Sequence, residues 1–121
     1  MTLKRMAIEF GMGTDLHGQN YTKAAERGLR DALWHNSLSV APAFGFDRNK
    51  MHVEVTIAVA DPDKVDPAVV QKVLPYGQST ARVVKGGLDV PRPDGDITVI
   101  ANVIAAVYLD FPEGSVPGAA E

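Results

Sequence analysis

Hydrophobic and polar positions alternate at the start of the chain, which is the pattern of a half-buried strand. Its apolar face would consist of Met6, Ile8, Phe10 and Met12. Glu9 would lie on the opposite, less apolar face. The strand is expected to end in a glycine-rich turn, because residues 11–18 combine three glycines with polar side chains.

The pattern then changes to a repeat of three to four residues, which predicts an amphipathic helix over about residues 21–35. Asn20 or Thr22 would cap its N-terminus. Gly28 lies within the apolar stripe and is interpreted as a place where the helix and a strand approach closely. Trp34 falls on the charged side, where an exposed tryptophan points weakly to a subunit contact.

The remainder of the chain predicts three further strands and a second, short helix. Residues 51–60 alternate clearly, and residues 78–85 form the next strand. Asp66 followed by Pro67 begins the short helix between them. Residues 97–109 are almost continuously apolar and β-branched, which is typical of a strand covered on both faces, inside the fold or at an interface.

The resulting order, β-α-β-α-β-β, predicts an α+β fold with a single sheet and two helices packed on one face. Right-handed crossovers would place the first three strands side by side and parallel, with an antiparallel last strand allowed. Two helices leave the other face uncovered, so we expect a homo-oligomer to cover it. Residues 1–110 are expected to form one domain, and residues 111–121 a flexible C-terminal tail.

Composition narrows the class of protein. The chain has 121 residues, 45% of them hydrophobic and 22% charged, as in an ordinary single globular domain. A net charge of -3 argues against nucleic-acid and membrane partners. The absence of cysteine excludes disulfides and thiolate chemistry. The N-terminus lacks the pattern of a secretory signal and the longest apolar run is too short to span a bilayer, so a cytoplasmic location is expected.

The candidate site is the turn from the first strand to the first helix, residues 9–20, which we call the corner. Backbone N–H groups gather at a helix N-terminus, and glycines let a ligand approach them. The candidate catalytic residues are Asp15, His17 and Lys23. The candidate ligand-binding residues are Gly11, Gly13, Thr14, Gln19 and Asn20.

The candidate residues suggest roles, each with a simpler alternative. Asp15 or His17 would act as acid or base. Lys23 is a positive charge in the first turn of a helix, where it opposes the dipole; it would hold an anionic group or act as base or nucleophile. The simpler alternatives are a tight turn, helix-capping amides and a surface lysine.

Familiar cofactor motifs are incomplete in the corner. Gly11 and Gly13 begin a dinucleotide-binding pattern, but Leu16 stands where the third glycine is needed. Gly13 and Gly18 have the spacing of a phosphate-binding loop without its lysine. Asp15 and His17, with His52 and Glu9 or Glu54, have the side chains of a metal site, but the sequence does not show that they converge. No metal is assigned, and the cofactor is unknown.

Several motifs resemble a small family of uncharacterised bacterial proteins. They are Ile8-Glu9-Phe10-Gly11-Met12-Gly13-Thr14-Asp15-Leu16-His17-Gly18-Gln19, Thr22-Lys23-Ala24-Ala25, Val73-Leu74-Pro75-Tyr76-Gly77 and Val84-Lys85-Gly86-Gly87-Leu88. The resemblance spans about residues 4–109 and implies no established activity.

A second, more distant resemblance concerns only residues 11–15. They are similar to the Ser-Gly-Gly-Thr-Glu turn in the repeat unit of ring-opening amidohydrolases, the cyanuric acid hydrolase and barbiturase group. In that group three repeats build one pseudo-threefold enzyme around serine–lysine pairs. Gly11 stands at the serine position here, so the resemblance supplies no nucleophile for the same hydrolytic route.

The expected function is a small-molecule enzyme or enzyme-like oligomer whose pocket lies at the corner and is partly completed by a neighbouring subunit. Amidohydrolase-like or isomerase-like chemistry on a polar nitrogen or carbonyl compound fits the side chains best. The alternative is a non-catalytic oligomeric module, small-ligand-binding or regulatory, that uses the same pocket. The expected partners are other copies of the chain and a small polar or anionic ligand.

Overall fold

A computed structural model describes residues 2–34 and 40–114. Its strands are β1 (Thr2–Asp15), β2 (His52–Val59), β3 (Gln78–Lys85), β4 (Leu88–Pro91) and β5 (Ile97–Phe111). Its α-helices are α1 (Tyr21–Trp34), α2 (Val40–Ala43) and α3 (Pro67–Gln71). The expected α+β fold with a single sheet is confirmed, while α2 and β4 are additional elements. The expected end of the first helix near His35 lies outside the described residues.

The strands form one mixed sheet in the order β1-β5-β2-β3, and β4 pairs with the first residues of β5. The predicted parallel neighbours β2 and β3 are confirmed. The prediction that β1 lies beside β2 is wrong, because β5 lies between them and is antiparallel to both. β1 and β5 are the two longest strands and pair along almost their whole length, and β5 uses its other edge to pair with β2.

Helix α1 packs across β1 and β5, and its closest approach is at glycines. A Cβ atom on Gly11 would overlap the carbonyl oxygen of Gly28, and one on Gly13 would overlap that of Ala24. A Cβ atom on Gly28 would lie 2.6 Å from Cγ2 of Val103 in β5. The expected close approach at Gly28 is therefore confirmed, and Gly11 and Gly13 form the strand side of the same contact.

The face assigned to β1 from the sequence is wrong beyond Met6. Glu9, Gly13 and Asp15 are buried under α1, whereas Phe10 and Met12 are exposed on the opposite side of the sheet. The pairing of β1 with β5 shifts register between Arg5 and Ala7. Such a shift turns the following side chains to the other face, so Met6 packs on the core while the next large side chains do not.

The hydrophobic core lies between the helices and one face of the sheet. The strands contribute inward-facing side chains from β2 and β5, among them Val53, Val55, Ile57, Val59, Val99, Val103, Val107 and Leu109. Asn102 is exposed on the other face of β5, so within one chain this strand is covered on one side only. Phe111 ends β5 and packs edge-on against Phe44 and Phe46. No described helix has the length and apolarity needed to cross a membrane.

Candidate functional site

The corner is held together by Asp15, the last residue of β1. Its Oδ2 accepts a hydrogen bond from the backbone N–H of Asn20 at 2.8 Å, and its Oδ1 lies 3.5 Å from Nη1 of Arg27. Asn20 in turn accepts the backbone N–H of Lys23 at 3.0 Å, which confirms it as the cap of α1. Asp15 is buried, so its carboxylate ties the strand end to the helix start.

Gly11 and Gly13 place backbone against backbone at this end of the sheet. The space beside both residues on the helix side is filled by α1. The carbonyl oxygen of Thr14 accepts a hydrogen bond from Nη1 of Arg27 at 2.6 Å. Gly11, Gly13 and Thr14 therefore fix how β1 packs against α1. Through that contact they set the position of the loop that follows β1.

His17 lies on the outside of the corner, where it meets the loop between β4 and β5. Its Nδ1 is 3.0 Å from Oδ2 of Asp96, and its side chain is 66% exposed. Nη1 of Arg92 donates to the carbonyl oxygen of Leu16 at 3.0 Å and lies 3.3 and 3.4 Å from the two ring nitrogens of His17. Nη2 of Arg92 also pairs with Asp94 at 3.1 Å. We call His17, Arg92 and Asp96 the His17 cluster.

The electrostatics of the His17 cluster act mainly on Asp96. The hydrogen bond with His17 lowers the pKa of the Asp96 carboxyl, and the backbone N–H of Ile97, which donates to Oδ1 at 2.8 Å, lowers it further. Asp96 is therefore ionised at neutral pH and can only accept hydrogen bonds. It follows that Nδ1 of His17 is the donor, and that Nε2, which lies 3.4 Å from Nη1 of Arg92, carries the lone pair of the ring.

A second polar group lies beneath the corner, around the first residue of α1. The hydroxyl of Tyr21 donates to Oδ2 of Asp89 and accepts from Nε2 of Gln19 at 3.0 Å. Burial and the hydrogen bond to Asp89 raise the pKa of Tyr21. Gln19 has φ of +50°, the one left-handed conformation of a non-glycine residue in the described part of the chain. Oδ1 of Asp89 is buried and has no hydrogen-bond partner among the described residues.

The structure brings only some of the candidate residues together. Asp15 and Asn20 are engaged with each other and with α1, whereas His17 turns outward to the β4–β5 loop. Lys23 is exposed on the first turn of α1. Within residues 2–34 and 40–114, no hydrogen bond or ion pair joins the side chains of Asp15, His17 and Lys23.

The sequence did not indicate four residues that lie next to the corner: Tyr21, Asp89, Arg92 and Asp96. Arg92 and Asp96 lie in a segment interpreted only as a turn, and their proximity depends on β1 running antiparallel to β5, with Asp15 opposite Val99. Recognising β4 would have placed this loop at the corner, because β4 and β5 form a hairpin.

His52 and Glu54 lie at the opposite end of the sheet from His17. His52 is opposite Tyr108 in β5, and Glu54 hydrogen-bonds to the hydroxyl of Tyr108, which raises the pKa of that tyrosine. A shallow cavity of about 240 Å³ borders His52, Glu54 and Tyr108. No group of three or more metal-ligating side chains occurs among the described residues. The set of His17 with His52 considered from the sequence is therefore not brought together.

Comparison with known proteins identifies the family. The sequence profile of a family described as a conserved hypothetical protein, Lin0512, matches residues 5–109. The chain is also similar to a crystal structure described as an FtsZ-like protein of unknown function from Nostoc punctiforme PCC 73102. The two chains share 38% identity and a TM-score of 0.83, over 92% of this chain and 99% of that one. No match was found among curated proteins, and neither similarity involves the ring-opening amidohydrolases. The chain therefore belongs to the Lin0512 family of conserved hypothetical proteins.

Proposed function

We propose that this protein is a small-molecule enzyme or enzyme-like protein whose His17 takes up and returns a proton at the corner. The observation that carries the proposal is the 3.0 Å contact between Nδ1 of an exposed His17 and the ionised carboxylate of Asp96. A carboxylate on one ring nitrogen orients an imidazole and leaves the other nitrogen to exchange a proton with a ligand. Asp96 is then a positioning residue and His17 the catalytic one.

The charges around His17 favour a polar or anionic ligand with a carbonyl or carboxylate group. Arg92 lies beside the ring and carries a permanent positive charge, and Lys23 is exposed on the adjoining first turn of α1. Asp15 supports the loop from below, because its carboxylate holds the backbone of Asn20. These groups suit hydrolytic or isomerising chemistry on a small nitrogen or carbonyl compound.

A non-catalytic role in binding or regulation is the second candidate. It is favoured by the openness of the corner, since His17 is 66% exposed and catalytic groups usually act where water is excluded. Arg92 is also partly neutralised by Asp94 at 3.1 Å. Turnover distinguishes the two roles, because a binder would show affinity that depends on His17 without converting its ligand.

The first test is a screen of the purified protein against small cyclic amides and oxo-acids. With a converted compound, His17→Ala is expected to lower kcat by about 10²- to 10⁴-fold, the usual contribution of a general acid or base. His52→Ala is the matched control, because it removes a histidine at the far end of the sheet. Turnover that survives His17→Ala would overturn the catalytic role. Binding without turnover, lost only in His17→Ala, would support the binding module.

The second test measures whether the His17 cluster exists in solution. His17→Ala is expected to raise the pKa of Asp96 toward its ordinary value of 3.8, while the N–H of Ile97 keeps part of the lowering. Carboxyl NMR titration measures this pKa. A lowered pKa in the folded state stabilises the protein above the unfolded value, and that stability is lost as the pH falls through the folded value. The loss of stability as the pH falls should therefore be smaller in His17→Ala than in the wild type, and unchanged in His52→Ala.

A further inference from the structure

The face of the sheet that turns away from the helices carries large apolar side chains. Phe10 is 62% exposed, Leu88 is 60% exposed and Met12 is 55% exposed. Strand register places Phe10 beside Ile104, and Leu88 beside Ile100, so these side chains share one face of β1, β5 and β4, with the exposed amide of Asn102 between Ile100 and Ile104. We call this the apolar strip, which consists of Ile8, Phe10, Met12, Leu88, Val90, Ile100 and Ile104. Contiguous apolar surface of this kind marks an interaction site.

The free edge of β1 argues for packing through the face and against extension of the sheet. Near the corner, the outward N–H of Met12 donates to Oδ2 of Asp31 at 2.9 Å. The outward carbonyl of Thr14 accepts from Arg27 at 2.6 Å. Side chains of α1 thus occupy the backbone groups that an added strand would need. A partner therefore meets this part of the molecule through the side chains of the apolar strip.

The charges around the strip favour a second copy of the chain as the partner. The strip contains no charged side chain. On the same face of the sheet, the neighbouring strands β2 and β3 carry Glu54 and Arg82. Arg82 is oriented by a 3.1 Å hydrogen bond from its Nε to Oγ1 of Thr56. The same face thus carries an uncharged strip with a positive and a negative side chain beside it. In a pair of copies, the two strips can pack against each other while Glu54 of each copy faces Arg82 of the other.

The size of the face also fits a second copy. Strands about 4.8 Å apart, with a rise of about 3.3 Å per residue, give this face about 700 Å² as a flat projection. A stable interface between two domains buries about 800 Å² per partner. The whole sheet face is therefore close in area to such an interface, and it is larger than the area that a short peptide would cover. Two sheets that pack face to face lie about 10 Å apart, which the side chains of the strip can fill.

We propose that two copies of this chain pack face to face through their apolar strips. The described helices contribute to the core on the other side of the sheet, so none of them competes for this surface. The interface does not depend on the chemistry proposed for His17, and either conclusion can fail alone. In the pair, opposite charges at Glu54 and Arg82 favour the correct orientation of the two copies.

Sedimentation equilibrium of the full chain tests the interface. The wild-type protein is expected to sediment at twice its 12.9 kDa mass at micromolar concentration, and Phe10→Asp is expected to sediment as the monomer. Leu88→Asp, on a different strand of the same strip, should have the same effect. Trp34→Asp is the matched control, because Trp34 is 85% exposed yet belongs to α1, on the helix side. Circular dichroism verifies that each variant is folded.

Several outcomes would overturn the interface. A wild-type chain that remains a monomer at several hundred micromolar excludes it. An oligomer that persists in folded Phe10→Asp and Leu88→Asp, or that dissociates in Trp34→Asp alone, moves the contact to the helix side. If Phe10→Asp does not fold, Leu88→Asp decides the question. Turnover or ligand binding at His17 is measured separately on each variant, so loss of the oligomer is distinguished from loss of the proposed activity.

Discussion

The two faces of β1 differ in both side chains and burial. The face with the large apolar side chains is exposed, and the face with small or acidic residues is buried. Gly13 and Asp15 are buried beneath α1, while Phe10 and Met12 face outward. Hydrophobicity alone would place the larger residues inside. On the helix face the deciding quantity is the distance between two backbones, because at Gly11 and Gly13 α1 comes so close to β1 that no side chain fits between them.

The helix face therefore gains packing between main chains, and the open face leaves its apolar side chains exposed within one chain. The contact at Gly11, Gly13 and Gly28 lets backbone atoms of strand and helix touch directly. Side chains that would normally fill a gap between sheet and helix are placed on the other side of the same strand. The comparison teaches that alternation identifies a strand but does not say which of its faces is buried.

The largest expected effect in this comparison is that of Gly13→Ala. The added methyl group would overlap the carbonyl oxygen of Ala24 and press on the backbone nitrogen of Gly28, and neither atom can rotate away. Overpacking of this kind costs about 3 kcal/mol or more of the free energy of unfolding, because helix and strand must separate. Urea denaturation followed by circular dichroism measures the loss.

Gly95→Ala is the control for this change. Gly95 has φ of +87°, which penalises an added side chain, but no atom lies within 4 Å of the added carbon. The cost there should be about 1 kcal/mol from backbone conformation alone. A Gly13→Ala variant no less stable than Gly95→Ala would show that α1 does not approach β1 as described.

The sequence was sufficient to predict four of the strands, helices α1 and α3 and one strand pair, for physical reasons that are visible in particular residues. Asp66 and Pro67 begin α3, and the short connection through this helix makes β2 and β3 parallel, as predicted. The position of β1 depends instead on pairing with β5, more than 80 residues away, which no local pattern specifies. The register shift beside Met6 likewise arises from that pairing, so the face of β1 could not be read locally.

The strand-to-helix turn was predictable from the sequence, but the residues that surround it were not. The glycines, Asp15 and Asn20 are local signals of a strand-to-helix turn, and the structure has that turn at residues 16–20. The partners of His17 come from the β4–β5 loop, and Asp89 reaches Tyr21 from β4. Both contacts exist only because the hairpin of β4 and β5 lies beside β1, which is tertiary information.

An intermediate effect is expected for Tyr21→Phe on the packed side of the sheet. The change removes the hydroxyl that joins Asp89 and Gln19 and leaves the partly buried carboxylate of Asp89 without its donor. Such a loss costs about 1–3 kcal/mol of the free energy of unfolding. Tyr108→Phe is the matched control on the open face, where Glu54 is exposed to water and loses its hydroxyl partner at lower cost.

The raised pKa of Tyr21 predicts that the protein loses stability at high pH. Burial and Asp89 raise the pKa of Tyr21 above the ordinary value of 10.0. A raised pKa in the folded state contributes stability that is complete below the unfolded value and is lost as the pH rises through the folded value. Unfolding titrations above pH 10 should therefore show an alkaline loss that is smaller in Tyr21→Phe. An equal loss of stability above pH 10 in the wild type and in Tyr21→Phe would contradict the hydrogen bond between Tyr21 and Asp89.

The smallest effect is expected for Phe10→Ala, measured in a Leu88→Asp background so that self-association does not contribute. Phe10 is 62% exposed on the open face, and substitutions at such positions change the free energy of unfolding by less than about 0.5 kcal/mol. Leu29→Ala in α1 is the control on the packed side, where a fully buried leucine should cost about 2–5 kcal/mol. Removing an aromatic ring at Phe10 should therefore cost the monomer less than adding one methyl group at Gly13. If Phe10→Ala proved as costly as Leu29→Ala, the ring would have to be packed within a single chain, and the open face would not be available to a second copy.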